Sequence, residues 1–180
     1  YHNLDKKPGF KMAMQVVGGR WYMYLGHCWH RGWTILDVTD PNHPELVKFV
    51  SGPENTWTLQ IQVADGLMIT SLEKTGAGIK GREHVWGGDL SKPNEEGILI
   101  WDVHDPVNPK VLSHFKTGGN GTHRNFYPGG RYVYLAANMR GYAGNLFVIV
   151  DINDPGNPVE VSRWWYPGQF VEGGETELLH

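Results

Sequence analysis

Short apolar runs separated by glycine or Asp-Pro turns recur along the chain. Three share an apolar run, an Asp-x-x-Asp-Pro-x-x-Pro segment and a second apolar run: GWTILDVTDPNHPELV at 32–47, GILIWDVHDPVNPKVL at 97–112 and NLFVIVDINDPGNPVEV at 145–161. Short runs rich in β-branched and aromatic residues, bounded by turn residues, are typical of strands. Proline fixes the turn and the preceding aspartate can accept a backbone hydrogen bond. Each segment therefore predicts two strands joined by an Asp-Pro turn.

A second pattern lies upstream of each of these segments. A glycine turn is followed by an aromatic or β-branched run in GGRWYMYLG at 18–26, DGLMITSL at 65–72 and GGRYVYLAA at 129–137. Glycine supplies the positive φ that a tight hairpin needs. The repeated unit is therefore predicted to be a four-stranded antiparallel module with the order strand, glycine turn, strand, loop, strand, Asp-Pro turn, strand.

The length of the repeat and its four strands are typical of a β-propeller blade. Asp37, Asp102 and Asp151 mark equivalent positions, and the first interval is the longer because a glycine-rich polar insertion occupies 73–96. The segments ILDVTDPNHPELV, LIWDVHDPVNPKVL and VIVDINDPGNPVEV resemble the LVIVP-repeat family of β-propeller proteins over about residues 12–166. The resemblance implies an all-β propeller with about three blades in this chain. It implies little about activity, because one fold hosts many functions.

The chain accordingly divides into an extension, three blades and the start of another. We predict an N-terminal extension at 1–11, blade 1 at 12–57, blade 2 at 58–119 with its inserted loop at 73–96, blade 3 at 120–170 and an incomplete next blade at 171–180. Three blades cannot close a ring that needs about four to eight. We therefore expect the chain to be a truncated or processed part of a six- or seven-bladed propeller. The remaining blades would come from the same longer polypeptide or from a second chain.

Composition limits the partners and leaves the compartment open. The chain of 180 residues has a formal net charge of −3, and no apolar run is long enough to span a bilayer. We therefore expect neither a nucleic-acid partner nor a membrane span. Because Cys28 is the single cysteine, the chain cannot form an internal disulfide, so cysteine usage does not decide the compartment. The family resemblance favours a periplasmic or secreted protein.

Propeller topology separates the histidines into two groups. Glycine hairpins and Asp-Pro turns lie at the bottom of a blade, whereas the loops between second and third strands and the connections between blades lie at the top. His43 and His104 therefore fall at the bottom and His114 on an outer strand. His27, His30, His84, His123 and His180 are predicted at the top, where propellers commonly place ligand sites.

His123 and His180 are the leading candidates for chemistry. Each is predicted at the start of an innermost strand beside the central channel, where imidazoles can bind a metal or act as acid and base. We expect His123, His180 and Glu177 to bind a divalent metal, which could be Zn, Fe, Cu or Ca. Glu175 would be a base, and Arg124 would anchor an anionic group. The alternative is that these histidines bond to nearby backbone and line a channel filled with water.

Further residues on the predicted upper face could form the wall of a site. They are the histidines, tryptophans and arginine of the upper loops: His27, His30, His84, Trp29, Trp57, Trp86 and Arg140. His27 and His30 could share a metal only if GHCWHRG is an irregular loop, because positions i and i+3 of a strand point to opposite faces. For the tryptophans, packing of the long connections is the alternative to a stacking surface.

Two classes of function remain open from the sequence. The first is a metal-dependent lyase or hydrolase at the top of the central channel, acting on a small substrate, with anionic substrates included. The second is a non-catalytic surface or periplasmic scaffold that binds protein or glycan through the same face. The chain lacks the GxSxG, P-loop, GxGxxG and EF-hand patterns, so several common enzyme classes are disfavoured.

Overall fold

A computed structural model describes residues 9–28, 30–74 and 91–175, and the regular elements in these ranges are all β-strands. Every pair of neighbouring strands is antiparallel. The predicted all-β, antiparallel fold is therefore confirmed. The described part of the chain contains no helix that is long and apolar enough to cross a membrane.

The strands form three modules in chain order. Module 1 contains β1 (Gly9–Val17), β2 (Arg20–His27), β3 (Gly32–Asp37) and β4 (Glu45–Ser51). Module 2 contains β5 (Thr56–Trp57), β6 (Ile61–Ala64), β7 (Leu67–Lys74), β8 (Gly97–Asp102) and β9 (Lys110–Phe115), with β5 and β6 both paired to β7. Module 3 contains β10 (Gly118–Phe126), β11 (Tyr132–Met139), β12 (Leu146–Asp151) and β13 (Val159–Trp164). Modules 2 and 3 join into one curled sheet where Gly121 pairs with Glu73.

The predicted glycine turns connect adjacent strands in all three modules. Gly18 and Gly19 have φ values of 57° and 79°, and Gly129 and Gly130 have values of 102° and 77°. In module 2 the first position is Asp65 with a φ of 51°, a conformation that aspartate tolerates better than most residues. Asp65 also accepts a hydrogen bond at 2.7 Å from the Gly130 N–H, which ties the hairpin of module 2 to that of module 3.

The Asp-Pro turns are held by their own aspartates. In each module the first aspartate accepts the N–H of the residue two positions later, and the aspartate before the proline does the same. The six bonds, of 2.9–3.0 Å, are Asp37–Thr39, Asp40–Asn42, Asp102–His104, Asp105–Val107, Asp151–Asn153 and Asp154–Gly156. Bonds from the side chains of His43, Asn108 and Asn157 hold the pKa of Asp40, Asp105 and Asp154 below its usual value. The turn is therefore encoded within the repeat itself.

Each module has two faces, one of which packs against the next module. We define the leading face of a module by one cross-strand pair. One member of the pair is the residue two positions before the first aspartate of the Asp-Pro turn, and the other is its partner on the preceding strand. In module 1 this pair is Tyr24–Ile35, and it is buried against module 2. In module 2 it is Ile69–Ile100, which is buried against module 3.

The opposite, trailing face receives the preceding module. Met68 and Trp101 of module 2 pack against module 1, and the ring of Trp101 meets Trp33 edge-on with centroids 5.1 Å apart. Val133 and Val150 occupy the same register in module 3 and pack against module 2. The two cores of the molecule are therefore two copies of one leading-to-trailing contact.

Glu96 fixes the connection between modules 2 and 3. Its buried carboxylate accepts the Thr117 N–H at 2.8 Å, the Thr117 hydroxyl at 2.6 Å and the Gly118 N–H at 3.2 Å. A buried carboxylate is tolerated where donors satisfy its oxygens. The segment entering β10 is thereby held against the start of β8.

We predict that Glu96→Gln lowers the free energy of unfolding by about 1–3 kcal/mol, because an amide NH₂ would replace an oxygen that accepts buried donors. Urea unfolding followed by tryptophan fluorescence measures the change. Glu95→Gln is the matched control, since Glu95 makes an exposed ion pair with Lys116. That variant should lose less than about 1 kcal/mol. Equal losses in the two variants would contradict the role given to Glu96.

We predict that stability falls as the pH drops below about 4. The folded state lowers the pKa of Asp40, Asp105 and Asp154, so their contribution is present above the unfolded pKa and is lost as the pH falls through the folded pKa. Thermal unfolding should therefore show a lower Tm at acid pH. Asp105→Asn keeps an acceptor oxygen and removes the titration, so its Tm should fall less between neutral and acid pH. If the Tm of Asp105→Asn falls between neutral and acid pH as much as that of the wild type, the contribution assigned to Asp105 is contradicted.

Candidate functional site

A histidine and a glutamate from neighbouring modules form a direct pair. His123 lies on β10 of module 3, and Glu73 lies near the end of β7 in module 2. The Nδ1 atom of His123 is 3.0 Å and 3.1 Å from the two carboxylate oxygens. The side chain of His123 is 38% exposed and that of Glu73 is 16% exposed. The imidazole is therefore accessible from solvent, while the carboxylate that holds it is largely covered.

A β-bulge places His123 in this position. Thr122 pairs with Ala137 and Arg124 pairs with Ala136, so His123 is the extra residue of β10 opposite a continuous β11. A bulge redirects a side chain and is frequent beside active sites. His123 can therefore lean toward module 2.

Gly121 allows β10 to approach β7 closely enough for the pair to form. It has a φ of 102° and pairs with Glu73. A Cβ atom at Gly121 would lie 2.2 Å from the carbonyl oxygen of Leu72, so a side chain at this position would clash with backbone. The close approach and the bulge together bring the carboxylate of Glu73 to His123.

The geometry gives His123 a defined chemical form. When the imidazole is neutral, a proton on Nδ1 can be donated to the carboxylate, which leaves Nε2 as the basic nitrogen. The carboxylate also orients the ring and stabilises the imidazolium formed when Nε2 accepts a proton. The pair can therefore act as a general base or present Nε2 to a metal ion.

Cys28 and Trp57 lie beside this pair. Burial, together with the negative charge of Glu73, raises the pKa of the Cys28 thiol to about 11. The thiol is therefore protonated at neutral pH, which disfavours a nucleophilic role. Trp57, on β5, pairs with Glu73 in the strand ladder and is half-buried.

The histidines of GHCWHRG have different surroundings. His27 is fully buried at the end of β2, and its Nε2 is hydrogen-bonded to the Thr34 hydroxyl at 2.7 Å. Its ring also packs 5.9 Å from that of Phe49, between centroids. His30 is exposed in the loop that leads to β3. His27 is thus part of the packing of module 1, and His30 is open to solvent.

Glu175 belongs to a turn near the end of the described chain. Its carboxylate accepts the N–H groups of Phe170 at 3.0 Å and Gly168 at 2.7 Å, and these bonds lower its pKa. Arg140 is exposed just after β11, where its N–H donates to the carbonyl of Thr117. Glu175 is thus bonded within its own turn and Arg140 to the segment before β10, whereas His123 is paired with Glu73.

Arg124 has a different environment from its neighbour His123. It lines an open groove on the leading face of module 3, together with Phe126, Tyr134 and Phe147. Its role as an anchor for an anionic group remains a prediction. The register between β10 and β11 explains the difference, since Arg124 pairs with Ala136 whereas His123 lies in the bulge.

Several predicted site residues lie outside the described residues: Trp29, His84, Trp86, Glu177 and His180. Within 9–28, 30–74 and 91–175, no group of three or more His, Cys, Asp or Glu side chains is arranged to hold a metal ion. Of the three expected metal ligands, His123 lies within the described residues, whereas Glu177 and His180 lie outside them. The metal centre as a whole remains a prediction.

Comparisons with known proteins give a distant curated relative and several solved structures. Cyclic-di-AMP phosphodiesterase PgpH from Bacillus subtilis (strain 168) is 23% identical over 183 residues, which cover 95% of this chain and 26% of that protein. The chain thus spans about a quarter of the length of this curated relative. A functionally unknown protein from Desulfotomaculum acetoxidans DSM 771 matches with a TM-score of 0.50 and 10% identity, over 85% of this chain and 42% of the other. At this identity the likeness shows the fold alone.

The family comparison bears on the repeats themselves. The model of the LVIVD repeat matches residues 13–51 and 129–164. These ranges contain the glycine turns and Asp-Pro segments that carry the sequence resemblance in modules 1 and 3. The family resemblance is confirmed: this chain contains LVIVD repeats in modules 1 and 3.

Proposed function

We propose that this chain forms three blades of a β-propeller and that the Glu73–His123 pair is the centre of a hydrolase or lyase site acting on a small substrate. Two features support the propeller arrangement: the LVIVD repeats and the use of the same leading-to-trailing contact at both module boundaries. The observation that carries the catalytic proposal is the bond between His123 Nδ1 and the Glu73 carboxylate.

Proton transfer is the chemistry that this pair supports best. Nε2 of His123 accepts a proton from water in a hydrolase, or from a substrate carbon in a lyase. Glu73 stabilises the resulting imidazolium and keeps the ring oriented throughout the cycle. A positioned base of this kind contributes about 10²–10⁴-fold to a rate.

A divalent metal is the second use that we propose for the same pair, as an alternative to the general base, because Nε2 cannot accept a proton while it binds a metal ion. Metal-binding histidines commonly donate their second ring N–H to a carboxylate, as His123 can donate to Glu73. His123 and Glu73 therefore fit the roles of one metal ligand and of the carboxylate that supports it. His180 and Glu177, the other proposed ligands, lie outside the described residues. When bound, the metal would polarise the substrate or activate a water molecule.

We predict that His123→Ala lowers kcat/KM by about 10²–10⁴-fold, because the base is lost. Hydrolysis of p-nitrophenyl esters and phosphoesters provides the first readout. Glu73→Gln should cause a smaller loss, since Nε2 remains but the ring loses its charged partner. His43→Ala is the matched control, because His43 is an exposed histidine bonded to Asp40 in an Asp-Pro turn. Hydrolysis that is undiminished in His123→Ala would contradict the site, and the absence of hydrolysis by the wild-type chain would favour the scaffold function.

We predict that Zn²⁺ binds the wild-type chain and that Glu73→Gln weakens the affinity by about 10–100-fold, the usual effect of losing a supporting carboxylate. Isothermal titration calorimetry measures the affinity directly and does not depend on turnover. His123→Ala should abolish the site, whereas His43→Ala should bind like the wild type. Equal affinities in all four proteins would remove the metal from the proposal while leaving the general base in place.

A further inference from the structure

Asn125 joins β10 to module 2 by a hydrogen bond from its side chain. Its Nδ2 atom donates to the carbonyl oxygen of Ile69 on β7 at 2.9 Å, and the contact is buried. The residue itself is 7% exposed and lies two positions after His123 on the same strand. The bond is therefore a second link between the strand that carries His123 and the strand that carries Glu73.

The two links keep one register between β10 and β7. The first link is the backbone pair of Gly121 and Glu73. Asn125 is four residues after Gly121. Ile69 is likewise four residues before Glu73, which is the spacing that an antiparallel register requires. His123 is the middle residue of the segment between the links, so this segment is attached to β7 at both of its ends.

A backbone pair could not replace the bond of Asn125. At Ile69 both sides of β7 are occupied, because this residue pairs with Gln62 on β6 and with Ile100 on β8. Here β10 must therefore cross above the sheet, and a side chain is needed to reach the carbonyl group. A carbonyl oxygen has two lone pairs, so it can accept this additional donor. The amide of Asn125 thus supplies the attachment that the ladder no longer provides after Gly121.

The hydrogen bonds of Asn125 favour a positional role over a stabilising one. Its Oδ1 atom is buried and has no hydrogen-bond partner in the part of the chain that the structure describes. A buried polar atom without a partner commonly costs as much free energy as one neutral hydrogen bond contributes, or more. The amide therefore adds little to the net free energy of folding, while its Nδ2 bond still fixes where β10 lies.

We infer that Asn125 is a positioning residue for His123. The bulge leaves His123 without a partner on β11, so the ladder between β10 and β11 does not by itself hold the imidazole against module 2. The links at Gly121 and Asn125 hold the segment on both sides of the imidazole, which keeps Nδ1 within reach of the Glu73 carboxylate. The value of this placement for catalysis rests on the proposed function, whereas the placement itself is a property of the pair.

Nitrogen NMR of the imidazole, at a pH at which the ring is neutral, tests the inference without any measurement of activity. In the wild type the bond to Glu73 should keep the proton of His123 on Nδ1, whereas an unpaired histidine favours a proton on Nε2. Glu73→Ala gives the reference spectrum of the unpaired ring, and His123→Ala identifies its signals. Asn125→Leu, which has a similar size and no amide, should shift the population toward the Nε2–H form.

Thr122→Val is the matched control. The Thr122 hydroxyl is fully buried beside His123 in the chain, and it has no hydrogen-bond partner among the described residues. Because valine keeps the shape and the bond of Asn125 stays intact, the proton should remain on Nδ1. If Asn125→Leu also retains the proton on Nδ1, or if Thr122→Val displaces it equally, the positioning role is overturned. A wild-type ring protonated on Nε2 overturns it together with the bond to Glu73.

Urea unfolding and circular dichroism separate placement from stability. Asn125→Leu should unfold near the wild-type midpoint, because the unpaired oxygen is removed together with the bond. Asn125→Ala, which also lacks the amide, is the second variant if leucine prevents folding.

Kinetics separate this inference from the proposed function. If the wild type hydrolyses the ester or phosphoester, Asn125→Leu should lower kcat by up to about 10²-fold with little change in KM, because a displaced base loses alignment while the substrate still binds. An unchanged kcat in this variant would overturn the catalytic value of the placement. An inactive wild-type chain with the expected spectra would contradict the proposed function and support the positioning of His123.

Discussion

The packing of one leading face on one trailing face is the contact on which the rest of the structure depends. It forms both hydrophobic cores, with Tyr24 and Ile35 on one side of the first boundary and Ile69 and Ile100 on one side of the second. A four-stranded sheet alone cannot bury an apolar face, so each module is stable only beside another. The bonds of Glu96 and Asp65 then fix the relative position of modules 2 and 3. The stability of the molecule and the arrangement of its modules therefore both depend on the packing at the two module boundaries.

The candidate site follows from the same constraint. Glu73 and His123 belong to different modules, so neither module contains the pair by itself. It forms because Gly121 lets β10 run close to β7 and because the bulge leaves His123 unpaired with β11. Any change that separates modules 2 and 3 should consequently break the bond between Glu73 and His123 before it disturbs either sheet.

Local signals made the strands and turns predictable, whereas contacts between modules were harder to predict. The glycine turns and the Asp-x-x-Asp-Pro-x-x-Pro segments carry their own hydrogen bonds, so their sequence is sufficient to identify them. The order of the strands is sufficient to place His123 at the top of its blade, but it does not single out Glu73. Their direct bond needed the register between β7 and β10, which depends on one close approach at Gly121. The burial of His27 depends on the Thr34 hydroxyl across the hairpin, which no spacing in GHCWHRG reveals.

The bulge at His123 has a consequence for how such a protein can change over evolution. A residue in a bulge has no partner in the adjoining ladder, so its side chain can be exchanged without altering the register of β10 and β11. Gly121, by contrast, cannot accept a side chain without moving the strand. The scaffold thus separates a position that is free to acquire new chemistry from a neighbour that is not. Repeat proteins of this architecture can therefore change the side chain in such a bulge while the fold stays the same.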